Sequence, residues 1–226
     1  MTKRMIAPLL IGVLGAAILL SLGVWQLNRL TWKQAILAEI EAQVTAAPVT
    51  LAEIGDPEDA QFVPVRLSGR FTGEELHVLS STRDYGAVYR IIAAFETADN
   101  RRVLVDRGII PLTSKDTPRP TQTVTIVANI RTPVEVDSYT PDPDPIRNIW
   151  FARDVPVMAT ALKTEPLMLI LRETSETPLV VRPHPVDIAG IPNNHLNYVI
   201  TWFLFAAAWL GMTGLWLWRI RRRTQL

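Results

Sequence analysis

Two uncharged, overwhelmingly apolar runs, Ile6 to Trp25 and Leu196 to Trp218, bracket a chain of 226 residues. At about 1.5 Å of rise per helical residue, each is long enough to cross a hydrocarbon core roughly 30 Å thick. The runs therefore read as two spanning helices with everything else held between them. Charge agrees with this reading. Residues 1–27 and 196–226 contain no Asp or Glu but carry Lys3, Arg4, Arg219, Arg221, Arg222 and Arg223. All 22 acids fall between, against 17 bases, so the middle carries −5 and the ends +6. Basic flanks of apolar spans stay cytoplasmic, which predicts both termini inside and the middle across the membrane. An acidic middle argues against nucleic acid as a partner.

The first run has an alternative reading as a signal peptide, because Ser21-Leu22-Gly23 loosely resembles a small-x-small cleavage site. Its length exceeds the roughly 7 to 15 residues of a signal core, and bulky Trp25 follows at once, which favours retention. No Arg- and Ser-rich transit segment precedes Ile6, so the expected location is a bacterial inner membrane with a periplasmic domain. Small residues four apart, Gly12 with Ala16, Ala17 with Ser21 and Ala207 with Gly211, would let the helices approach closely, although such pairs also arise by chance in spans.

The expected layout is a cytoplasmic segment 1–5, a first span 6–27, an extracytoplasmic domain 28–195, a second span 196–218 and a basic tail 219–226. Trp32, Ile36, Ile40 and Val44 continue a helical period beyond the first span, so a leading helix covers 28–44 and stops before Pro48. In Phe62 to Phe71, Val63, Val65, Leu67 and Phe71 alternate with Pro64, Arg66, Ser68 and Arg70, the period of a half-buried strand. Further strands are expected over 76–81, 87–96, 102–110, 122–131, 167–172 and 179–182, with 97–100 a hairpin loop and a strand-like stretch at 148–151. Residues 154–162 read as a short helix, and Pro141 to Pro145 as an exposed loop. The fold class is thus α+β: two transmembrane helices flanking one mainly antiparallel β domain, barrel-like or strongly curved.

The chain has no cysteine and three histidines, His77, His184 and His195. Disulfides, thiol catalysis, Cys-ligated metals and covalent c-type haem are excluded. No GxSxG, HExxH, Walker A or GxGxxG occurs, so nothing in the sequence speaks for an enzyme.

Gly190-Ile191-Pro192-Asn193-Asn194-His195-Leu196-Asn197-Tyr198-Val199-Ile200-Thr201-Trp202-Phe203 resembles the signature that opens the last helix of the Surfeit-locus-one family of cytochrome oxidase assembly factors. Four more segments resemble that family in order. They are Trp25-Gln26-Leu27 with Arg29 and Lys33, Val65-Arg66-Leu67-Ser68-Gly69-Arg70-Phe71, Val103-Leu104-Val105-Asp106-Arg107-Gly108 followed by Pro111, and Asn148-Ile149-Trp150-Phe151. The chain departs from the pattern at Ile109, where the family has Trp, at Thr82-Arg83, where it has Pro-Arg, and at Gly86, displaced from its place before Tyr89.

The resemblance implies a non-enzymatic membrane factor that presents noncovalent haem a to the catalytic subunit of a haem-copper terminal oxidase. The resemblance also implies the haem A synthesis machinery as a further partner. It marks His195 as the candidate ligand of the haem iron. Independently, a neutral imidazole can supply an axial bond. Tyr198 and Trp202 follow at i+3 and i+7, with Phe205 and Trp209 beyond, and form an aromatic face. Arg29 and Arg182 are candidates for the propionates. Arg66 and Arg107 are weaker ones, since pairing with domain acids such as Asp84 and Asp106 is the ordinary role. An interfacial histidine beside aromatics also occurs without any ligand. The alternative function is a scaffold that binds no haem and stabilises an oxidase subunit.

Overall fold

The computed structural model describes residues 5–187 and 191–223; Lys3, Arg4, Gly190 and the last residues of the basic tail lie outside them. Two compact units result, one of residues 1–39 with 188–226, the other Ile40–Asp187. Two helices, α1 (Ile6–Thr45) and α3 (His195–Arg223), are long and apolar enough to cross a membrane. α1 is one unbroken helix, so the period read at Trp32, Ile36, Ile40 and Val44 does continue the first apolar run.

The second unit is a barrel. Its strands are β1 (Val49–Thr50), β2 (Pro64–Thr82), β3 (Gly86–Thr97), β4 (Arg102–Pro111), β5 (Thr123–Ile130) and β6 (Met168–Thr174). The order β1-β2-β3-β4-β6-β5 closes through a second pairing of β2 with β5. Four pairings are antiparallel, but β1 runs parallel to β2 and β4 parallel to β6, so the sheet is mixed. The β4–β6 pairing is parallel because the closed ring β2-β3-β4-β6-β5 has five strands, and an odd ring cannot alternate direction at every pairing. The stretches read as separate strands at 62–71 and 76–81 form the single strand β2, interrupted by a bulge between Phe71 and Glu75. The expected strand at 179–182 is only an isolated bridge between Arg182 and Ile109.

Inward residues of period two, including Val65, Leu67, Phe71, Phe95, Val103, Val105, Ile126 and Leu169, fill the barrel. Helix α2 (Val155–Leu162) covers the outside with Val155, Met158, Ala159 and Leu162, the i, i+3, i+4, i+7 set of one helical face. Asp154 caps its first turn by accepting from the Val157 N–H. The last turn of α1 is capped by the barrel: Asn129 Nδ2 and Arg172 Nη1 donate to the Val44 carbonyl at 2.9 and 3.0 Å.

β4 carries the polar framework. A bulge opposite Ile91 and Ile92 inserts Arg107 as an extra residue, re-aiming successive side chains. Asp106, fully buried, accepts from Arg90 Nε at 2.6 Å, Arg153 Nη1 at 3.0 Å and the Gly108 N–H at 3.1 Å. Arg107, also buried, donates to Glu176 at 2.5 Å and lies 4.0 Å from the centre of the Phe71 ring. Arg107 is therefore spent structurally, on Glu176 rather than on Asp106. Gly108 has φ +120°, and a Cβ there would meet the Arg182 carbonyl group and Pro183.

Two expectations follow. Gly108→Ala should lower the melting temperature by roughly 4 to 8 °C, an estimate that corresponds to about 2 kcal/mol of strain and clash. Gly55→Ala, in open space, should leave it unchanged; tryptophan fluorescence on heating checks both. The second concerns Glu135, which pairs with Arg153. Burial alone pushes the Glu135 carboxyl up, but hydrogen bonds and charge from Arg153 outweigh it and hold the group below its usual value. A depressed folded value adds stability above the unfolded value of about 4.3, lost as pH falls through the folded one. Glu135→Gln should therefore be less stable than wild type at pH 7, and the gap should close in acid below that value.

Candidate functional site

The five residues singled out in the sequence divide between the units. Arg29, His195, Tyr198 and Trp202 belong to the helical unit and Arg182 to the barrel. In the helical unit the pairing of α1 with α3 decides where each side chain points. Between residues 195 and 213 of α3 and 12 and 30 of α1, the buried or half-buried positions on α3 are His195, Val199, Trp202, Ala206, Trp209 and Thr213, spaced four and three in alternation. On α1 they are Gly12, Gly15, Ala16, Leu19, Leu22, Gly23, Gln26 and Leu30. This alternation is the seam of an antiparallel helix pair packed at near-heptad spacing.

Small residues on α1 face large ones on α3. A Cβ on Gly12 would lie 3.1 Å from the Thr213 Cβ, one on Gly15 would run into the Trp209 indole, and one on Gly23 would touch the Phe203 ring at 3.1 Å. Of the small pairs expected from sequence, Gly12 with Ala16 lies in this seam. Ala17, Ser21, Ala207 and Gly211 are exposed, and nothing lies within 4 Å of a Cβ on Gly211. Close approach needs small residues on one helix only, because α3 supplies the bulk.

The seam also divides the aromatic face. Trp209 is turned into it, with Nε1 donating to the Gly12 carbonyl at 3.1 Å. Trp202 is half-buried, its ring centre 6.2 Å from that of Phe205 in an edge arrangement. Tyr198 and Phe205 are each 54% exposed. The free surface is thus Tyr198 with Phe205, backed by Trp202, and Trp209 does not belong to it.

His195 is the first residue of α3 and is half-buried. Its Nδ1 lies 2.9 Å from Oε1 of Gln26, a 9% exposed residue of α1. In the sequence Gln26 stands out only as part of a motif and by its place directly after the apolar run. Lys33 Nζ donates to the Pro192 carbonyl and ties the segment before His195 to α1. Asn193 Oδ1 is buried without a hydrogen-bond partner. Arg29 is exposed, with its guanidinium 3.9 Å from the centre of the Trp32 ring. Arg182, also exposed, donates to the Tyr85 hydroxyl and stacks 5.1 Å from that ring.

The other two histidines are structural. His77 Nε2 meets Glu75 at 2.7 Å within β2, where Arg119 also binds Glu75. Burial, helped by the Arg90 charge, pushes the His184 imidazole below its ordinary value despite Asp106 and Asp187 nearby. No group of three or more metal-ligating side chains occurs among the described residues.

The model of the SURF1 family matches residues 13–207, a stretch that holds most of α1, the whole barrel and the first turns of α3. The chain belongs to the SURF1 family. It is 28% identical to Surfeit locus protein 1 of Rattus norvegicus over 90% of this chain and 72% of that protein. To the Homo sapiens protein of the same name it is 28% identical over 83% of this chain and 70% of that one. To a SURF1-like protein of Rickettsia bellii it is again 28% identical, over 84% of this chain and 83% of the other. The SURF1 family is a family of oxidase assembly factors. Its motifs in this chain now have physical roles: the first and the last meet at Gln26 and His195, and the third forms the Asp106–Gly108 bulge.

The absence of native cysteine makes the seam directly testable. Gly12→Cys with Thr213→Cys should oxidise to a disulfide, since Cβ atoms of bridged cysteines sit roughly 3.5 to 4.5 Å apart and small shifts bring these into range. Gly12→Cys with Gly211→Cys should not; mobility on a nonreducing gel distinguishes them.

Proposed function

We propose that α1 and α3 anchor the chain in a bacterial inner membrane, with both termini cytoplasmic and the barrel periplasmic. There it would assist assembly of a haem-copper terminal oxidase by holding haem a, noncovalently, for the catalytic subunit. Family membership and the basic flanks at the chain ends support the setting. One observation carries the site: Nδ1 of His195 is engaged by Gln26, which leaves Nε2 for an axial bond.

The residues present fit such a group. When bound, it supplies an iron that takes an imidazole nitrogen and propionates that take guanidinium N–H donors. His195 offers Nε2. Tyr198 and Phe205 offer exposed rings on the same helix, with Trp202 behind. Arg29, whose guanidinium touches Trp32 through its face, keeps its N–H donors for carboxylates. Arg182 belongs to the barrel unit and is engaged with Tyr85. Hand-over follows if the oxidase subunit offers better ligands than one histidine.

The scaffold reading is favoured by a different observation. Residues 134–146 expose Val134 at 94%, Tyr139 at 90% and Ile146 at 98%, apolar surface suited to a protein partner. One purification separates the two readings. Wild type and His195→Ala are isolated in detergent from cells making haem A, and their absorption spectra and copurifying subunits are compared. Wild type should carry haem and the variant should lose it. Equal haem in the variant removes His195 from the site, and oxidase subunits without haem on wild type select the scaffold.

A further inference from the structure

Gln26 has no assigned role, yet it is a polar side chain of the seam within hydrogen-bond distance of His195. A neutral imidazole carries its proton on one nitrogen, and the partner of the other decides which. The Oε1 of Gln26 at 2.9 Å accepts from Nδ1–H, which leaves the lone pair on Nε2. An imidazole with the opposite tautomer has no lone pair on Nε2 and cannot bond a metal through it. From this we infer that Gln26 is a positioning residue: it fixes His195 as the Nδ1–H tautomer and orients its ring before any ligand arrives. The inference builds on the reading of His195 as an axial ligand.

Three features make the contact a built one. Gln26 is 9% exposed, so its amide is screened from water that would otherwise compete. Lys33, seven residues further along α1, holds the Pro192 carbonyl and so fixes the backbone leading into His195. Trp209 fixes the register of the same seam through the Gly12 carbonyl. The ring is thus located by its own hydrogen bond and by a second and third contact on either side. Such outer partners of metal-binding histidines fix tautomer and orientation and raise ligand basicity.

The amide of a glutamine can turn to donate instead, so the chemistry distinguishes acceptor from donor replacements. Gln26→Glu keeps an acceptor, Gln26→Leu has neither, and Gln26→Lys only donates. The readout is the 15N spectrum of the imidazoles in the detergent-purified full chain without haem. There are three histidines, so His195→Ala assigns the third by subtraction. Wild type and Gln26→Glu should show the His195 Nδ1 protonated and Nε2 bare, whereas Gln26→Leu and Gln26→Lys should shift the proton toward Nε2. Haem titration of the same samples should show affinity falling roughly 10- to 100-fold in Gln26→Leu and recovered in Gln26→Glu. An Nε2–H tautomer in wild type, or an unchanged spectrum in Gln26→Leu, overturns the inference. The expected tautomers together with undiminished haem binding by His195→Ala leave the role of Gln26 standing and instead overturn the reading of His195 as ligand.

Discussion

Closure of the barrel rests on one strand serving two partners. β2 pairs through residues 64–70 with β5 and through 69–82 with β3, so Gly69 and Arg70 face both neighbours at once. At that corner a Cβ on Gly69 would strike the Glu96 backbone and the Phe95 ring. The glycine is therefore a condition of closure, because only a bare backbone lets the strand turn from one sheet segment to the other. Everything else in this unit depends on that corner. It lets Val65, Leu67 and Phe71 share one interior with Ile126 and Leu169, and leaves the outer face of β2, β3 and β4 for α2.

The polar core of β4 uses the same economy. Because Arg107 is the one extra residue of the bulge, Asp106 collects donors from Arg90 and Arg153 while Arg107 meets Glu176 and Phe71. Buried charges are tolerated only when paired and hydrogen-bonded, and each of these is. The run Val-Asp-Arg-Gly is thus a bulge with three ion pairs, two on Asp106 and one on Arg107, and a close crossing by the segment at Arg182.

Much of this was legible in the sequence, for reasons that differ by element. The two apolar runs, β3, β4 and β5, and α2 announce themselves through length or period, and the first helix declares its extension through Trp32 to Val44. β1 has two residues and no period to read. β2 looked like two strands because Thr72, Gly73 and Glu74 break the alternation at a bulge that only the register with β3 reveals. Residues 179–182 alternate like a strand but find one bridge in place of a ladder. The family resemblance marked His195, and helical spacing from it picked out Tyr198 and Trp202. The loss of Trp209 from their surface was not, because which side of α3 faces α1 is a property of the pair.

Gln26 shows why such a partner stays hidden and why it matters. It lies 169 positions from His195, and no spacing rule connects them. The physical signal is local: a glutamine directly beyond an apolar run of twenty residues, on the side of the helix that carries Gly12, Ala16 and Gly23. An amide in that position costs free energy unless a neighbouring helix satisfies it. The same holds for an imidazole at the start of α3. Each therefore specifies the other, and with glycines on one side of the seam and Trp209 and Phe203 on the other, only one register brings them together. On the proposed reading, the contact that matches the two helices is then the same one that leaves Nε2 of His195 available.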